Sequence, residues 1–323
     1  MFTTTICLLV YARYNFIPEL LTKTGFTQNS QIMKSKNQIL ALSFAAVLVL
    51  FFSACEKDDD DNNDEMLEGT EEGHHVDKYQ HGAYKGHTWR FEDIPYDIAC
   101  TNDGKKVWVI TNYAPYGPIN HTGGELKEGD ENGNFRTIDT FGDTPQSVVL
   151  SADGSLGYVV TSGKNVDKYE NGTYVGHIDS FDGEPIGIAC TADGKKIWVV
   201  TDDQKLHEGN ENGNFTTIDT YASIPLEVTL SDDGGLGYVI TLENKVCKYV
   251  NGVYVGHIYQ FDHQPQDISC ESDGETLWVI TQGYKLYQGD ENGNFHSIDT
   301  FGDAPQGTVL SADGGYGYVT TNK

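Results

Sequence analysis

Residues 185–201 read PIGIACTADGKKIWVVT, and the fold follows from this phrase. A proline opens it, a short apolar run follows, and Asp193-Gly194 precedes a second apolar run that ends on Thr201. Two runs rich in β-branched and aromatic residues, joined by an Asp-Gly turn, read as paired strands. The same phrase opens at Pro95, Pro145, Pro225, Pro265 and Pro305, so the six prolines are spaced 50, 40, 40, 40 and 40 residues apart. Each Asp-Gly pair stands eight residues after its proline, at Asp103, Asp153, Asp193, Asp233, Asp273 and Asp313. The odd repeats carry a Cys before the turn, a Trp after it, and then Glu-Asn-Gly-Asn-Phe and Ile-Asp-Thr. The even repeats carry Leu-Ser before the turn, Gly-Tyr-Val after it, and then a Lys-Tyr and a Tyr-Val-Gly-His. The repeating unit is therefore a pair of 40-residue phrases, used three times.

Each phrase divides into four short strands separated by turn signals. In the second repeat the expected strands are 147–151, 157–161, 166–169 and 174–181, with Asn171-Gly172 as a two-residue hairpin of primed type. Four strands in about 40–45 residues is the make-up of a propeller blade. The chain ends complete the count. Residues 76–79 and 83–87 match the back half of an even repeat, and 309–320 match the front half of one. Five whole blades plus one shared between the ends predict an all-β, six-bladed propeller over residues 76–323. The wording of 185–201 resembles NHL and YVTN-type propeller repeats. That resemblance implies the fold and leaves activity open.

Ahead of the repeats lies a different kind of sequence. Lys34 and Lys36 precede an uncharged apolar run of about 16 residues, short for a membrane span, which needs about 20. The run closes on Phe52-Ser53-Ala54-Cys55 and gives way at once to Glu56-Lys57 and four aspartates. This resembles a bacterial lipoprotein signal, departing from it only at Phe52, and implies that Cys55 is lipidated; an uncleaved signal anchor is the alternative. The expected organisation is an upstream segment 1–32 ahead of the true start at Met33, a signal peptide 33–54, an acidic tether 55–75, and the propeller. The acidic run after Cys55 also resembles the export signal of surface lipoproteins, which implies the outer membrane and the cell surface, with a periplasm-facing spacer as the alternative. With 21 basic and 48 acidic residues the chain carries a formal charge of −27, which excludes nucleic acid as a partner. The same charge repels anionic headgroups, so the lipid must hold the protein to the membrane.

Several conspicuous residues read as structure. Cys100, Cys190 and Cys270 occupy one position in alternate blades, too far apart for disulfides, and read as small buried hydrophobes. His87, His177 and His257 fall on outermost strands, too far apart to share one metal. Trp108, Trp198 and Trp278 read as blade-to-blade packing, and the runs at Asp130, Asn210 and Asp290 as hairpin turns rather than calcium loops.

Chemistry is expected on the face where chains enter the innermost strands. Six-bladed enzymes that this fold resembles, calcium lactonases and zinc lyases, set metal ligands beside the proline. Here those places hold Tyr96, Gln146, Ile186, Leu226, Gln266 and Gln306, with neither a histidine nor a carboxylate. The next positions supply Asp97, Glu227 and Asp267, which could ligate Ca2+ at the channel mouth or be plain strand starts. His263 beside Asp262 could serve as a general base. The connection from Thr111 to Leu126 takes fifteen residues where other blades take five, and inserts Tyr113, Tyr116 and His121. These three, with Tyr96, Gln146, Gln266 and Gln306, form the expected ligand surface, suited to a sugar or peptide. The leading functional reading is a ligand- or protein-binding scaffold without a cofactor, catalytic residues being none. Its partners are a glycan, a peptide or an envelope protein. The alternatives are a metal-assisted lactonase-like hydrolase and a purely structural envelope protein.

Overall fold

The structure is a computed structural model that describes residues 74–113 and 123–322. Cys55, the signal segment, Tyr116 and His121 lie outside the described residues. The described chain opens with β1 (His74–Gln80) and β2 (Ala83–Phe91). Blade one comprises β3 (Ile94–Cys100), β4 (Lys106–Asn112), β5 (Gly124–Asp130) and β6 (Gly133–Phe141). Blade two follows with β7 (Pro145–Leu150), β8 (Leu156–Thr161), β9 (Asn165–Glu170) and β10 (Thr173–Ser180). Blade three holds β11 (Pro185–Cys190), β12 (Lys196–Thr201), β13 (Lys205–Asn210) and β14 (Gly213–Thr220). Blade four holds β15 (Pro225–Leu230), β16 (Leu236–Thr241), β17 (Lys245–Val250) and β18 (Val253–Gln260). Blade five holds β19 (Pro265–Cys270), β20 (Thr276–Thr281), β21 (Lys285–Asp290) and β22 (His296–Thr300). The chain closes with β23 (Ala304–Leu310) and β24 (Tyr316–Asn322).

Six antiparallel four-stranded sheets result, and one has the order β2-β1-β24-β23. Blade six is therefore the shared blade, with His75 opposite Thr321 and Lys78 opposite Tyr318 across the joint. The first strands β3, β7, β11, β15, β19 and β23 pack side by side as a closed inner ring. Asn171 and Gly172 both have positive φ, 50° and 79°, as a primed hairpin requires. The first strand of blade two starts two residues before the expected boundary, at Pro145 opposite Thr161. A bulge follows each opening proline, between Pro95/Asp97 in blade one and at the equivalent place in all six blades. The bulge breaks the alternation of apolar and polar residues, which is why alternation alone starts the strand late.

The alternation of odd and even repeats is an interlocking of neighbours. Trp108, buried in blade one, lies against Gly157 of blade two, where a Cβ would come within 2.4 Å of the indole. Trp198 with Gly237 and Trp278 with Gly317 repeat the contact. Each Trp also meets a tyrosine of the even blade edge-on: Tyr169, Tyr249 and Tyr79. The hydroxyls of these tyrosines donate to Asp139, Asp219 and Asp299, which explains the recurrent Ile-Asp-Thr. The Gly-Tyr-Val tyrosines work in the other direction. Tyr158, Tyr238 and Tyr318 donate to the carbonyls of Gly194, Gly274 and Gly104 in the next odd blade, each at 2.7 Å.

On the Asp-Gly face a circle of backbone hydrogen bonds runs through every blade. Asn102 N–H donates to the Ala152 carbonyl, Ala152 to Ala192, Ala192 to Asp232, Asp232 to Ser272, Ser272 to Ala312, and Ala312 back to Asn102, at 2.8–3.1 Å. Cys100, Cys190, Cys247 and Cys270 are free thiols. Burial pushes Cys100 and Cys270 up to about 12, so they stay protonated at neutral pH and behave as small apolar groups. The Asp130 and Asp290 carboxylates accept hydrogen bonds from Asn134 and Asn294 within their own hairpins, so these runs are turns.

Candidate binding face around the central channel

The bulges bring the residues that follow the prolines to the channel. Asp97, Ser147, Gly187, Glu227, Asp267 and Gly307 each stand two residues after a proline, one per blade. Asp97 accepts from its own strand's Ile98 N–H at 2.7 Å and from Val148 N–H of blade two at 2.8 Å. Glu227 accepts from Val228 N–H and from Ile188 N–H of blade three. Asp267 accepts from Ile268 N–H and from Thr308 N–H of blade six. Gly187 makes room for this, since a Cβ there would sit 2.3 Å from Glu227 Oε1. The three carboxylates therefore tie blades one to two, three to four and five to six.

All three are buried, which favours the protonated form. Burial pushes Asp97 up to about 6, against the pull of the N–H groups. Glu227 is raised well above the ordinary range by burial, then by the charges of Asp267 and Asp97. Asp267 is raised by burial and by Asp97. Such a cluster can brace the ring, hold a proton, or, if the N–H bonds were given up, meet a cation.

Above the carboxylates, Tyr96, Gln146, Gln266 and Gln306 converge with Ile186 and Leu226 around a cavity of about 50 Å3. Gln146 donates to Glu184 at 3.0 Å, and Gln306 to the Ala304 carbonyl at 3.3 Å. Burial and then the carboxylates of Glu227 and Asp97 hold the Tyr96 phenol above its ordinary value. Seven of the expected residues thus share one place: these four and the three carboxylates. Tyr113 does not line that cavity; it follows β4 directly, and its N–H donates to the Gly123 carbonyl at 3.3 Å. His263, in the connection from β18 to β19, lies against Gly283 of the β20–β21 turn in blade five, and does not line the cavity either.

Below the carboxylates a second cavity of about 110 Å3 is lined in part by Cys100, Cys190 and Cys270. Asn102 of blade one reaches across to Asp232 of blade four, Nδ2 to Oδ2 at 2.7 Å. Sequence reasoning missed this pair. Its signal was present: in Ser/Thr/Glu-x-Asp-Gly the x position is Ala, Ser, Asn or Asp, and only Asn102 and Asp232 carry long polar side chains.

The volumes limit the chemistry. A drug-sized ligand fills about 300–1,000 Å3, whereas about 10–15 Å3 suffices for one water. The mouth cavity therefore admits water or an ion, and anything larger must bind across its rim.

No protein-family model matches the chain. No curated protein sequence matches it. Among solved structures, a chain in the crystal structure of a nidogen/laminin complex is similar, with a TM-score of 0.57 and 12% identity over 71% of this chain and 93% of that one. The likeness at that identity is one of fold, and it agrees with the strand order in making this chain a β-propeller of six four-stranded blades.

Proposed function

We propose that this protein is a lipid-anchored, extracytoplasmic propeller of the NHL/YVTN type whose channel-mouth rim binds a protein partner. The observation that carries the reading is the convergence of Tyr96, Gln146, Gln266 and Gln306 with two aliphatic side chains around a cavity too small for a substrate. An aromatic ring, amides and aliphatic groups on rigid strands suit contact across a surface. The solved structure with the similar chain is a complex of two proteins, nidogen and laminin, and a protein is the partner class adopted here. Anchoring through Cys55 places the propeller outside the cytoplasm at the end of its acidic tether, facing outward from the outer membrane.

The test is native purification of the lipidated chain beside Tyr96→Ala and Gln266→Ala variants. One protein should co-purify in stoichiometric amount with the wild type and fall at least about tenfold in the variants, with thermal unfolding unchanged; loss of a partner hot spot commonly costs that much or more. Equal recovery in all three would overturn the rim assignment, and a glycan in place of a protein would overturn the partner class. The hydrolase reading requires Asp97, Glu227 and Asp267 to exchange backbone N–H groups for Ca2+. A rise in melting temperature on adding Ca2+ that Asp267→Asn abolishes would favour it.

A further inference from the structure

A cavity of about 340 Å3 lies away from the channel, between the shared blade and blade five. It is lined by His75, Asp77 and His87, together with Tyr84, Arg90 and Asp303 among others. His75 and Asp77 stand two apart on β1 and so point to one face, and His87 is the register partner of Asp77 on β2. His87 Nδ1 lies 2.6 Å from Asp77 Oδ1, and His75 Nε2 lies 3.6 Å from the same oxygen. The two imidazoles meet edge-on with centroids 3.8 Å apart. One ligand atom from each residue falls within 4.8 Å of the other two.

We propose that His75, Asp77 and His87 form a binding site for a divalent transition metal of the Zn2+ class. A tetrahedral ion with bonds of about 2.0–2.1 Å spaces its ligand atoms about 3.3 Å apart, and the separations of 2.6 and 3.6 Å bracket that value. Two imidazoles with one carboxylate suit Zn2+ and its neighbours, whereas Ca2+ takes oxygen ligands. The side chain of Asp77 is 6% exposed and that of His75 12%, while His87 at 41% faces the cavity. Three protein ligands leave a coordination position open toward that cavity, and Arg90 on its wall suits an anionic fourth ligand.

The repeats supply the contrast. Blade two has the equivalent carboxylate–imidazole pair, Asp167 with His177, but Asn165 stands where His75 would be. Blade four has Lys245, Cys247 and His257 at the three places. Only the shared blade fills all three with an imidazole, a carboxylate and an imidazole, so the site is not a by-product of the repeat.

The full chain, stripped with a chelator and dialysed against Zn2+ in excess Ca2+ to occupy exposed carboxylates, should retain one equivalent of zinc. Asp77→Asn and His75→Gln should each weaken retention at least about tenfold, the scale of loss seen even for outer-sphere partners of metal ligands. Asp167→Asn should leave retention unchanged, and Asn165→His, which completes the set in blade two, should raise it to two equivalents. Chelator-treated variants melting with the wild type would show that loss of zinc is not loss of fold. No retained zinc in the wild type, or equal retention in Asp77→Asn and His75→Gln, overturns the site.

Discussion

Gly157 shows how narrowly a residue is chosen when two blades share a surface. Its backbone is extended rather than left-handed, so the requirement is purely steric: the Trp108 ring occupies the space of a Cβ. Gly157→Ala should destabilise by about 1–3 kcal/mol through overpacking, read as a lower melting temperature, whereas Gly142→Ala, with nothing within 4 Å, should cost little. The channel carboxylates make a second prediction at this scale. A carboxyl whose folded pKa is raised contributes most to stability when protonated. For Asp97 that contribution is full below the ordinary 3.8 and is lost as pH rises through about 6; Glu227 and Asp267 are raised as well and act in the same sense. The protein should therefore melt at a higher temperature near about pH 5 than near about pH 7.5, the sense in which linkage runs for raised acids. Asp267→Asn, which gives up one of two acceptor oxygens, should melt lower near the acid end and narrow the difference between the two. Equal wild-type melting temperatures would show the three carboxyls to be ionised in the fold. The Trp and Gly-Tyr alternation was legible in the sequence because spacing repeats. The reach of Asp97, Glu227 and Asp267 to a neighbouring strand was not, because it depends on a bulge and on the small residues Gly187 and Gly307 opposite.

At the scale of strands, three ties join blades in pairs through carboxylates, and three tyrosine hydroxyls join one pair to the next. Blade six belongs to this scheme only because β24 pairs with β1. Deleting residues 304–323 removes β23 and β24, strands the β1–β2 hairpin, and exposes the Trp278 and Val107 surfaces they cover. The expected loss is several kcal/mol of a stability margin of about 5–15, seen as a broadened and lowered thermal transition. Unchanged, equally cooperative melting would refute closure by the shared blade. The insertion in blade one behaves differently, because Asn112 and Gly124 are already in register as β4 meets β5. Replacing residues 113–122 by Ser-Gly-Lys-Asn, the connection after Thr161, should leave the melting temperature unchanged. Loss of folding on that replacement would make the insertion part of the fold. Strand number, order and the shared blade were legible from the 40-residue spacing and the two half-repeats. The bulges were hidden, since a one-residue slip looks like a late strand start.

For the molecule as a whole, the proposed site between the shared blade and blade five stands in the sequence as His75-x-Asp77 opposite His87, where the repeat pattern does not point to it. Taking the three histidines of this strand position together sets His87 beside His177 and His257, whereas its partner across the ladder is Asp77 and the ring it meets is that of His75. Repeats direct attention to what recurs, and a site made by one deviating blade falls outside that view. The cellular address rests on other residues. Cys55→Ala should shift the protein from the membrane fraction to the soluble one; retention after a carbonate wash would replace the lipid anchor by a signal anchor. The six-membered circle of backbone hydrogen bonds on the Asp-Gly face has no beginning, since Ala312 passes to Asn102 as Ala152 passes to Ala192. The order in which the polypeptide visits the blades is thus a matter of genetics rather than of mechanics. His75 and Thr321 already face each other across one ladder, so in a chain trimmed to residues 74–322 a short linker from 322 to 74, with a new opening cut between blades three and four, would yield a circular permutant with the same circle intact.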